Sequence, residues 1–171
     1  FVKPMSQTSS TPLEIIVLAA GQGKRMNSSL PKMLHPLAGR PLLAHVLDSA
    51  VELDPQRIHV VVGHRSDQGV ETIQAAHPGL EVNWVEQTEQ LGTGHAVQQA
   101  LPAVAGNATV LVVFGDVPLI TAQTLSACVG RAGEGGLALV TANFSDPAQL
   151  GRIMRDAAGA ITGIVEFKDA S

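Results

Sequence analysis

Short runs rich in Val, Ile and Leu recur along the chain, and they alternate with longer stretches whose apolar residues recur at helical spacing. Several runs are almost continuously apolar, which is typical of strands that are covered on both faces of a sheet. The pattern predicts strands at Glu14–Ala20, Arg57–Val62, Leu80–Glu86, Thr109–Phe114 and Leu137–Ala142.

The stretches between these runs have the pattern of amphipathic helices. In the first, Pro41 suits a first-turn position, and one apolar face is formed by Leu43, Val46, Leu47, Ala50 and Val51. Further helices are predicted at Asp67–Ala76, Thr93–Leu101 and Thr121–Arg131. This alternation predicts a Rossmann-like, doubly wound α/β fold with a mostly parallel sheet. Near the end, GRIMRDAAGAITGIVEF predicts two short strands around an Ala-Ala-Gly turn.

Composition indicates a globular chain, since 45% of the 171 residues are hydrophobic and 15% are charged. We predict a tag or disordered tail at residues 1–12 and one domain at residues 13–171. The net charge of −4 argues against a nucleic-acid partner. No apolar stretch approaches the roughly 20 residues of a membrane helix, so no membrane partner is predicted. The single Cys128, predicted to be a core residue, is compatible with a reducing compartment.

Four polar segments follow the predicted strands: AAGQGKR, GHRSD, EQTEQLGTG and FGDVPLI. Ligands of open α/β sheets bind at the carboxyl ends of the strands, so these segments are the candidate site. In the first, Met26 replaces the third glycine of a dinucleotide-binding loop, and the Walker A spacing is absent.

The first loop combines glycines with cations. Gly21 and Gly23 allow backbone N–H groups to approach an oxyanion, Arg25 offers a planar fork to phosphate oxygens, and Lys32 adds a point charge. An ordinary glycine-rich turn with solvated cations fits the loop equally well.

A carboxylate and two amides complete the candidate site. Asp116 follows a buried strand and suits Mg²⁺, which takes one or two carboxylates together with substrate phosphates; the alternative is an Asp that caps a turn. Gln87 and Gln90 carry amides that match the imide edge of uracil. Alternatively, this segment is a helix start that Thr93 caps, and both interpretations can hold together.

The six histidines show no tight metal-ligand spacing, and no Ser/His/Asp arrangement is evident. Attack by a phosphate on a nucleotide phosphorus requires no base, because the second pKa of a phosphate is roughly 6. Such a reaction depends on charge neutralisation, for which Arg25, Lys32 and Asp116 are the catalytic candidates.

Five segments closely resemble one family, in the same order: LAAGQGKRM, LPKMLHPLAGRPLLAHV, EQTEQLGTGHA, FGDVPLI, and GRIMRD with GIVEFKDAS. The family is the N-terminal uridyltransferase domain of bacterial bifunctional N-acetylglucosamine-1-phosphate uridyltransferase/glucosamine-1-phosphate acetyltransferases. The resemblance spans about residues 13–171. The first and fourth motifs are shared by sugar-nucleotide pyrophosphorylases in general.

The resemblance implies that UTP and N-acetylglucosamine 1-phosphate are converted to UDP-N-acetylglucosamine and pyrophosphate, with Mg²⁺ on Asp116. It implies phosphate contacts from Arg25 and Lys32, and sugar contacts from Gly151 and Glu166; alternatively, Glu166 is an exposed strand-end acid. The remaining implied contacts lie along the nucleotide, at the uracil and at the site wall: Leu18, Ala19, Ala20, Gly21, Gln87, Gln90, Gly92, Thr93, Phe114 and Gly115. It also implies a cytoplasmic enzyme that serves cell-wall precursor synthesis.

Two features depart from the family pattern. Phe114 stands where the family usually has Tyr, and we expect tuning of activity rather than its loss. The family continues beyond this length into more of the sugar site and a hexapeptide-repeat domain for acetyl transfer and trimer formation, and no such repeat is present here. The chain is therefore expected to be a piece of a longer protein. A uridine-nucleotide-binding module without turnover, and a pyrophosphorylase for another sugar or base, remain alternatives.

Overall fold

The structure is a computed structural model, and it describes residues 11–21, 23, 28, 30–63, 67–133 and 136–169. The chain forms two compact units, Phe1–Ala138 and Leu139–Ser171. The larger unit contains the parallel sheet, and the smaller one contains a hairpin. The first ten residues of the predicted tail lie outside the described residues.

The larger unit follows the alternation of strands and helices that the sequence predicts. Its elements are β1 (Leu13–Leu18), β2 (Pro36–Leu37), β3 (Arg40–Pro41), α1 (Leu42–Val51), β4 (Arg57–Gly63), α2 (Asp67–Ala76), β5 (Asn83–Gln87), α3 (Thr93–Ala100), β6 (Thr109–Phe114) and α4 (Ala122–Ala132). Short 3-10 turns occur at Lys32–Leu34 and Leu101–Ala103. In the smaller unit, β7 (Arg152–Arg155) and β8 (Ile161–Val165) pair antiparallel, and a 3-10 turn covers Phe167–Asp169.

The main sheet has the strand order β5-β4-β1-β6, and all its pairings are parallel. The chain runs from β1 outward through β4 to β5, and then crosses back to place β6 on the other side of β1. Strand order reverses at β1, and such a switch point leaves a crevice at the carboxyl ends of the strands. The topology thus predicts that a ligand site lies beyond Leu18 and Phe114.

Helices cover the two faces of this sheet separately. Alternate residues of β1 divide between two apolar clusters, because successive side chains of a strand point to opposite faces. Ile15 and Val17 pack with residues of α1, α2 and α4, whereas Ile16 packs with Ala96 and Ala100 of α3. The doubly wound architecture is therefore confirmed, with β1 as an inner strand that is buried at residues 14–17.

Most predicted elements match the structure to within a few residues. The strand Thr109–Phe114 and the helix Asp67–Ala76 have the predicted bounds, and the terminal hairpin is confirmed. Strand β6 is not buried on both faces, since Val110, Val112 and Phe114 on one face are 37%, 40% and 48% exposed.

The predicted strand Leu137–Ala142 is wrong, since the structure assigns no strand there. The segment is rich in Leu and Val, but Leu137 is 84% exposed and Val140 is 55% exposed. Strand propensity reflects packing against neighbours, and an apolar run without a partner strand does not form a ladder. The prediction relied on local composition alone.

A chain of polar groups, of which Glu14 and His59 are buried, crosses β1, β4 and β5 near their amino ends, away from the switch-point crevice. The Asn83 amide nitrogen lies 2.8 Å from His59 Nδ1, and His59 Nε2 lies 2.8 Å from a Glu14 carboxylate oxygen. The other Glu14 oxygen accepts from the Ala105 amide at 3.2 Å. Burial alone raises the pKa of the Glu14 carboxyl, but the hydrogen bonds from His59 and Ala105 outweigh it. The pKa therefore lies below its ordinary value of 4.5.

Glu14→Gln should lower the free energy of unfolding by about 1–3 kcal/mol near neutral pH. The carboxylate accepts at both oxygens, whereas an amide has one acceptor and sets its N–H₂ group against a donor. Because folding lowers the Glu14 pKa, the wild-type advantage is complete above pH 4.5 and decreases as pH falls through the folded-state pKa. Urea unfolding at several pH values tests this. The exposed Glu81→Gln is the matched control, and a difference between wild type and Glu14→Gln that does not change with pH would contradict the prediction.

Candidate functional site

A cavity of about 380 Å³ lies at the switch-point crevice, where β1, β5 and β6 end. Fourteen of the residues that the structure describes line it, and twelve of them belong to the predicted site. The twelve are Leu18, Ala19, Ala20, Gly21, Lys32, Gln87, Gln90, Gly92, Thr93, Phe114, Gly115 and Asp116; Met33 and Ala96 are the other two. Segments that are up to about 100 residues apart in sequence therefore meet because parallel strands end at one edge.

An ion pair forms the charged end of the cavity. The Lys32 ammonium contacts a carboxylate oxygen of Asp116, and the two side chains are 38% and 34% exposed. Lys32 begins the 3-10 turn whose next two residues, Met33 and Leu34, are buried in the core. Asp116 follows β6 in a turn in which the Val117 amide donates to the Phe114 carbonyl. Both charges are thus held by elements that are anchored in the core.

Gly23 lies against Lys32 in the loop that follows β1. Its φ is +59°, and a Cβ at this position would lie only 2.9 Å from the Lys32 Cβ. The loop therefore requires glycine here for both its backbone conformation and its close approach to Lys32. The predicted roles of Gly21 and Gly23 in anion binding stay predictions, and Arg25 lies outside the described residues.

Gly115 holds the ends of β1 and β6 close together. Its amide donates to the Leu18 carbonyl at 2.9 Å, which extends the ladder past the last paired residues. A Cβ on Gly115 would lie 3.2 Å from the Leu18 carbonyl oxygen, 3.2 Å from Leu43 and 3.3 Å from Ala19. This close approach sets the position of Asp116 relative to the end of β1.

The other end of the cavity is neutral and polar. Gln87 is the last residue of β5 and is only 3% exposed. Its side-chain nitrogen donates to the Gly92 carbonyl at 3.2 Å and lies 3.0 Å from His95 Nδ1. The Gln90 side chain donates to the Ala20 carbonyl at 2.8 Å, which connects the loop after β5 to the end of β1.

Helix α3 begins beside these amides. Thr93 is its first helical residue, and Gly92 precedes it with no side-chain cap, so the alternative that Thr93 caps the helix is wrong. Thr93 lines the cavity as the first residue of this helix.

The remaining three predicted site residues are Arg25, Gly151 and Glu166. Arg25 lies outside the described residues, as do residues 64–66 of the GHRSD segment. Gly151 and Glu166 belong to the smaller unit, where they flank the paired ends of β7 and β8. Met33 and Ala96 were missed because they are apolar; their positions beside Lys32 and Thr93 were the only available signal.

Two absences apply to the part of the chain that the structure describes. No group of three or more His, Cys, Asp or Glu side chains in these ranges could hold a metal ion. Within the same ranges, no helix combines the length and the apolar character that crossing a membrane requires.

The strand order and the position of the cavity define a doubly wound α/β domain of the nucleotide-binding type. Residues 15–163 match the family described as MobA-like NTP transferase domain, and the chain belongs to that family.

The sequence is also similar to longer proteins. Bifunctional protein GlmU from Alkalilimnicola ehrlichii is 54% identical over 159 residues, which are 93% of this chain and 33% of that protein. Bifunctional protein GlmU from Marinobacter nauticus is 52% identical over 161 residues, which are 94% of this chain and 35% of that protein. The chain thus spans about a third of the length of these curated relatives. The predicted resemblance is confirmed.

Solved structures support the same fold type. UDP-glucose pyrophosphorylase in complex with UDP-glucose aligns with a TM-score of 0.71 at 18% identity, over 94% of this chain and 72% of that chain. Rv0371c from Mycobacterium tuberculosis in complex with manganese aligns with a TM-score of 0.56 at 24% identity, over 70% of this chain and 59% of that chain. At these identities the likeness concerns the fold, and the predicted nucleotide-diphospho-sugar transferase type is confirmed.

Gly115→Ala should destabilise the chain by roughly 1–3 kcal/mol, because the added methyl group overpacks the contact between the ends of β1 and β6. Gly94→Ala is the matched control, since Gly94 lies in α3 with open space around its missing Cβ and should lose no stability. Urea unfolding of both variants measures the difference. Equal stabilities would contradict the close contact at Gly115.

Proposed function

We propose that this chain is the uridyltransferase part of a bifunctional enzyme that converts UTP and N-acetylglucosamine 1-phosphate into UDP-N-acetylglucosamine and pyrophosphate. The observation that carries the proposal is the cavity at the switch point, which has an ion pair at one end and a buried amide at the other. The charged end suits a triphosphate, and the neutral end suits a base. The 54% identity to a GlmU protein supports this assignment.

In the proposed reaction, a phosphate oxygen of the sugar 1-phosphate attacks the α-phosphorus of UTP. The new P–O bond forms as the bond to the β-phosphate oxygen breaks, and pyrophosphate leaves with the electron pair. The attacking phosphate is already ionised at neutral pH, because its second pKa is roughly 6, so no protein base is required. The protein's contribution is to position the two phosphates and to neutralise charge.

Lys32 and Arg25 are the proposed cationic groups. Lys32 lines the cavity, and its 3-10 turn is anchored in the core, so its ammonium is preorganised for phosphate oxygens. The proposal for Arg25 rests on the sequence: a guanidinium can bind two oxygens of the departing pyrophosphate at once.

Asp116 is the residue that would hold a divalent cation, proposed to be Mg²⁺. One carboxylate that lines the cavity and is 34% exposed fits this ion, which takes one or two protein carboxylates and completes its shell with substrate oxygens and waters. When bound, the ion supplies positive charge to the phosphate oxygens. The neighbouring Lys32 neutralises the same carboxylate before substrate arrives.

The other proposed contacts divide between the nucleotide and the sugar. The backbone of Leu18–Gly21 lies along the nucleotide, the β5 end and the start of α3 contact the base, and Phe114 and Gly115 form part of the wall. Gly151 and Glu166 of the smaller unit are proposed to contact the sugar. The phenyl ring of Phe114 offers no hydroxyl to a substrate, so it contributes apolar surface only.

Two alternatives to this function have support, one from the share of its relatives that the chain covers and one from its fold. It spans about a third of the GlmU proteins, so it could bind a uridine nucleotide without turnover. A pyrophosphorylase for another sugar or base is the second alternative, since the fold is shared with UDP-glucose pyrophosphorylase. For the whole protein we also propose acetylation of glucosamine 1-phosphate, a homotrimer and a cytoplasmic location, all on the basis of the family resemblance.

Pyrophosphate release with UTP and N-acetylglucosamine 1-phosphate tests the proposal, and it should be measured for the 171-residue chain and for the full-length protein. We expect turnover by the full-length protein with this pair, and much slower release with dTTP or glucose 1-phosphate. Calorimetric titration with UTP identifies the binding module: saturable binding without release by the short chain supports that alternative. Equal rates with the other substrates would contradict the proposed specificity.

Asp116→Asn in the full-length protein should lower kcat by about 10²–10³, because a neutral amide binds a divalent cation weakly and leaves the charge of Lys32 without a counterpart. Initial rates over a range of metal concentrations measure the effect. The matched control is Asp54→Asn, at an exposed position with φ +49° that Asn also adopts, and it should retain full activity. A near-normal kcat for Asp116→Asn would remove Asp116 from the metal site.

A further inference from the structure

The amide of Gln87 is held at its nitrogen end by two protein groups. The nitrogen lies 3.2 Å from the Gly92 carbonyl oxygen and 3.0 Å from His95 Nδ1. A carbonyl oxygen only accepts hydrogen bonds, so the amide must present its N–H₂ group on this side. The Gly92 carbonyl also accepts from the Ala96 amide at 3.1 Å, so its bond to Gln87 favours this orientation but does not hold it alone.

This assignment also determines the state of the His95 ring. An N–H₂ group has two hydrogens, and one goes to Gly92, so the other is directed to Nδ1. Nδ1 can accept only when it carries no proton, which places the proton of the neutral ring on Nε2. Both hydrogens of Gln87 are then used by the protein, and the amide oxygen is the atom that it can offer to a ligand in the cavity.

Gln99 lies one helical turn after His95 and contacts the other ring nitrogen. Its amide nitrogen is 3.1 Å from His95 Nε2 and 3.3 Å from the His95 carbonyl oxygen. The His95 carbonyl favours the N–H₂ group of Gln99 on this side, as Gly92 does for Gln87, but Gln99 is only half-buried. Of the two amides, Gln99 is therefore the one that rotates: its oxygen then accepts the proton of Nε2, and its N–H₂ group turns toward water. The side chains of Gln99, His95 and Gln87 thus form a hydrogen-bonded chain that runs from α3 to the cavity.

We propose that His95 is a positioning residue that fixes the Gln87 amide with its oxygen toward the base, so that the site selects a pyrimidine that carries N–H at N3. The proposal rests on the proposed function, which makes the ligand a uridine nucleotide. Uracil has a hydrogen on N3 and can donate to the Gln87 oxygen. Cytosine has a lone pair on N3, which repels that oxygen.

Burial is what makes the orientation matter. Gln87 is 3% exposed, so a base that fails to pair with its oxygen leaves a buried acceptor without water to compensate it. A Gln87 amide without His95 would be held by Gly92 alone. A rotation that exchanges the ends of this amide would then present N–H₂ to the base and favour cytosine.

The test measures Kd by calorimetry for UTP and CTP on the full 171-residue chain, for wild type and two variants. His95→Leu removes the acceptor, whereas His95→Asn keeps an acceptor near the position of Nδ1. We expect wild type to prefer UTP over CTP by about tenfold or more. His95→Leu should lose most of that preference, and His95→Asn should retain it within about threefold.

The outcomes separate the two levels of the proposal. A wild-type chain that binds both nucleotides equally contradicts the proposed function. A wild type that prefers UTP, together with a His95→Leu variant that keeps the same Kd ratio, overturns the role of His95 and leaves the proposed function standing. A change in overall affinity without a change in the ratio also overturns it, because a purely structural role would weaken both ligands.

A further variant protects the test against misfolding. If His95→Leu does not fold, as judged by its urea transition, His95→Gln replaces it, because its acceptor lies further from the backbone than Nδ1. Loss of the UTP preference in His95→Gln with retention in His95→Asn supports the positioning role. Retention in both overturns it.

Discussion

The close contact between the carboxyl ends of β1 and β6 is the constraint on which the site depends. Parallel pairing brings Leu18 opposite Phe114, and the next residue, Gly115, donates to the Leu18 carbonyl at 2.9 Å. A side chain there would be overpacked, since a Cβ would lie 3.2 Å from that carbonyl oxygen. The backbone after β6 therefore follows the end of β1 closely, and this brings Asp116 to Lys32 at the mouth of the cavity.

Charge is unevenly distributed in the cavity, and this asymmetry agrees with a ligand that has an ionic end and a neutral end. Lys32 and Asp116 are about a third exposed, so water can reach them and substrate charges can replace their partners. Gln87 is buried, and its orientation is set by neighbours rather than by solvent. A partly exposed ion pair suits the phosphates of the proposed ligand, whereas a buried amide suits a base whose hydrogen-bonding pattern does not change.

Sequence patterns predicted most of the larger unit because its strands and helices have clear periodicity. Strand β6 has its predicted bounds, and β1 and β4 have the apolar runs of strands that are buried on both faces. The failure at Leu137–Ala142 shows the limit of such patterns, since Leu137 is 84% exposed and the run does not form a strand. Twelve predicted site residues line one cavity, because strand-end positions can be read from sequence once the sheet is known to be parallel.

What the sequence by itself determined is the kind of fold, the edge of the sheet that carries the site, and the chemical groups available there. Apolar periodicity and glycine-rich strand ends are local features, and each is visible in a few consecutive residues. Only the tertiary structure decided which groups meet: that Lys32 pairs with Asp116, that Gly23 and Gly115 lie in close contacts, and that the Gln87 amide nitrogen lies beside the Gly92 carbonyl and His95. Contacts between residues 84 positions apart depend on strand order and on differences of a few tenths of an ångström in packing distance. No local sequence pattern encodes either.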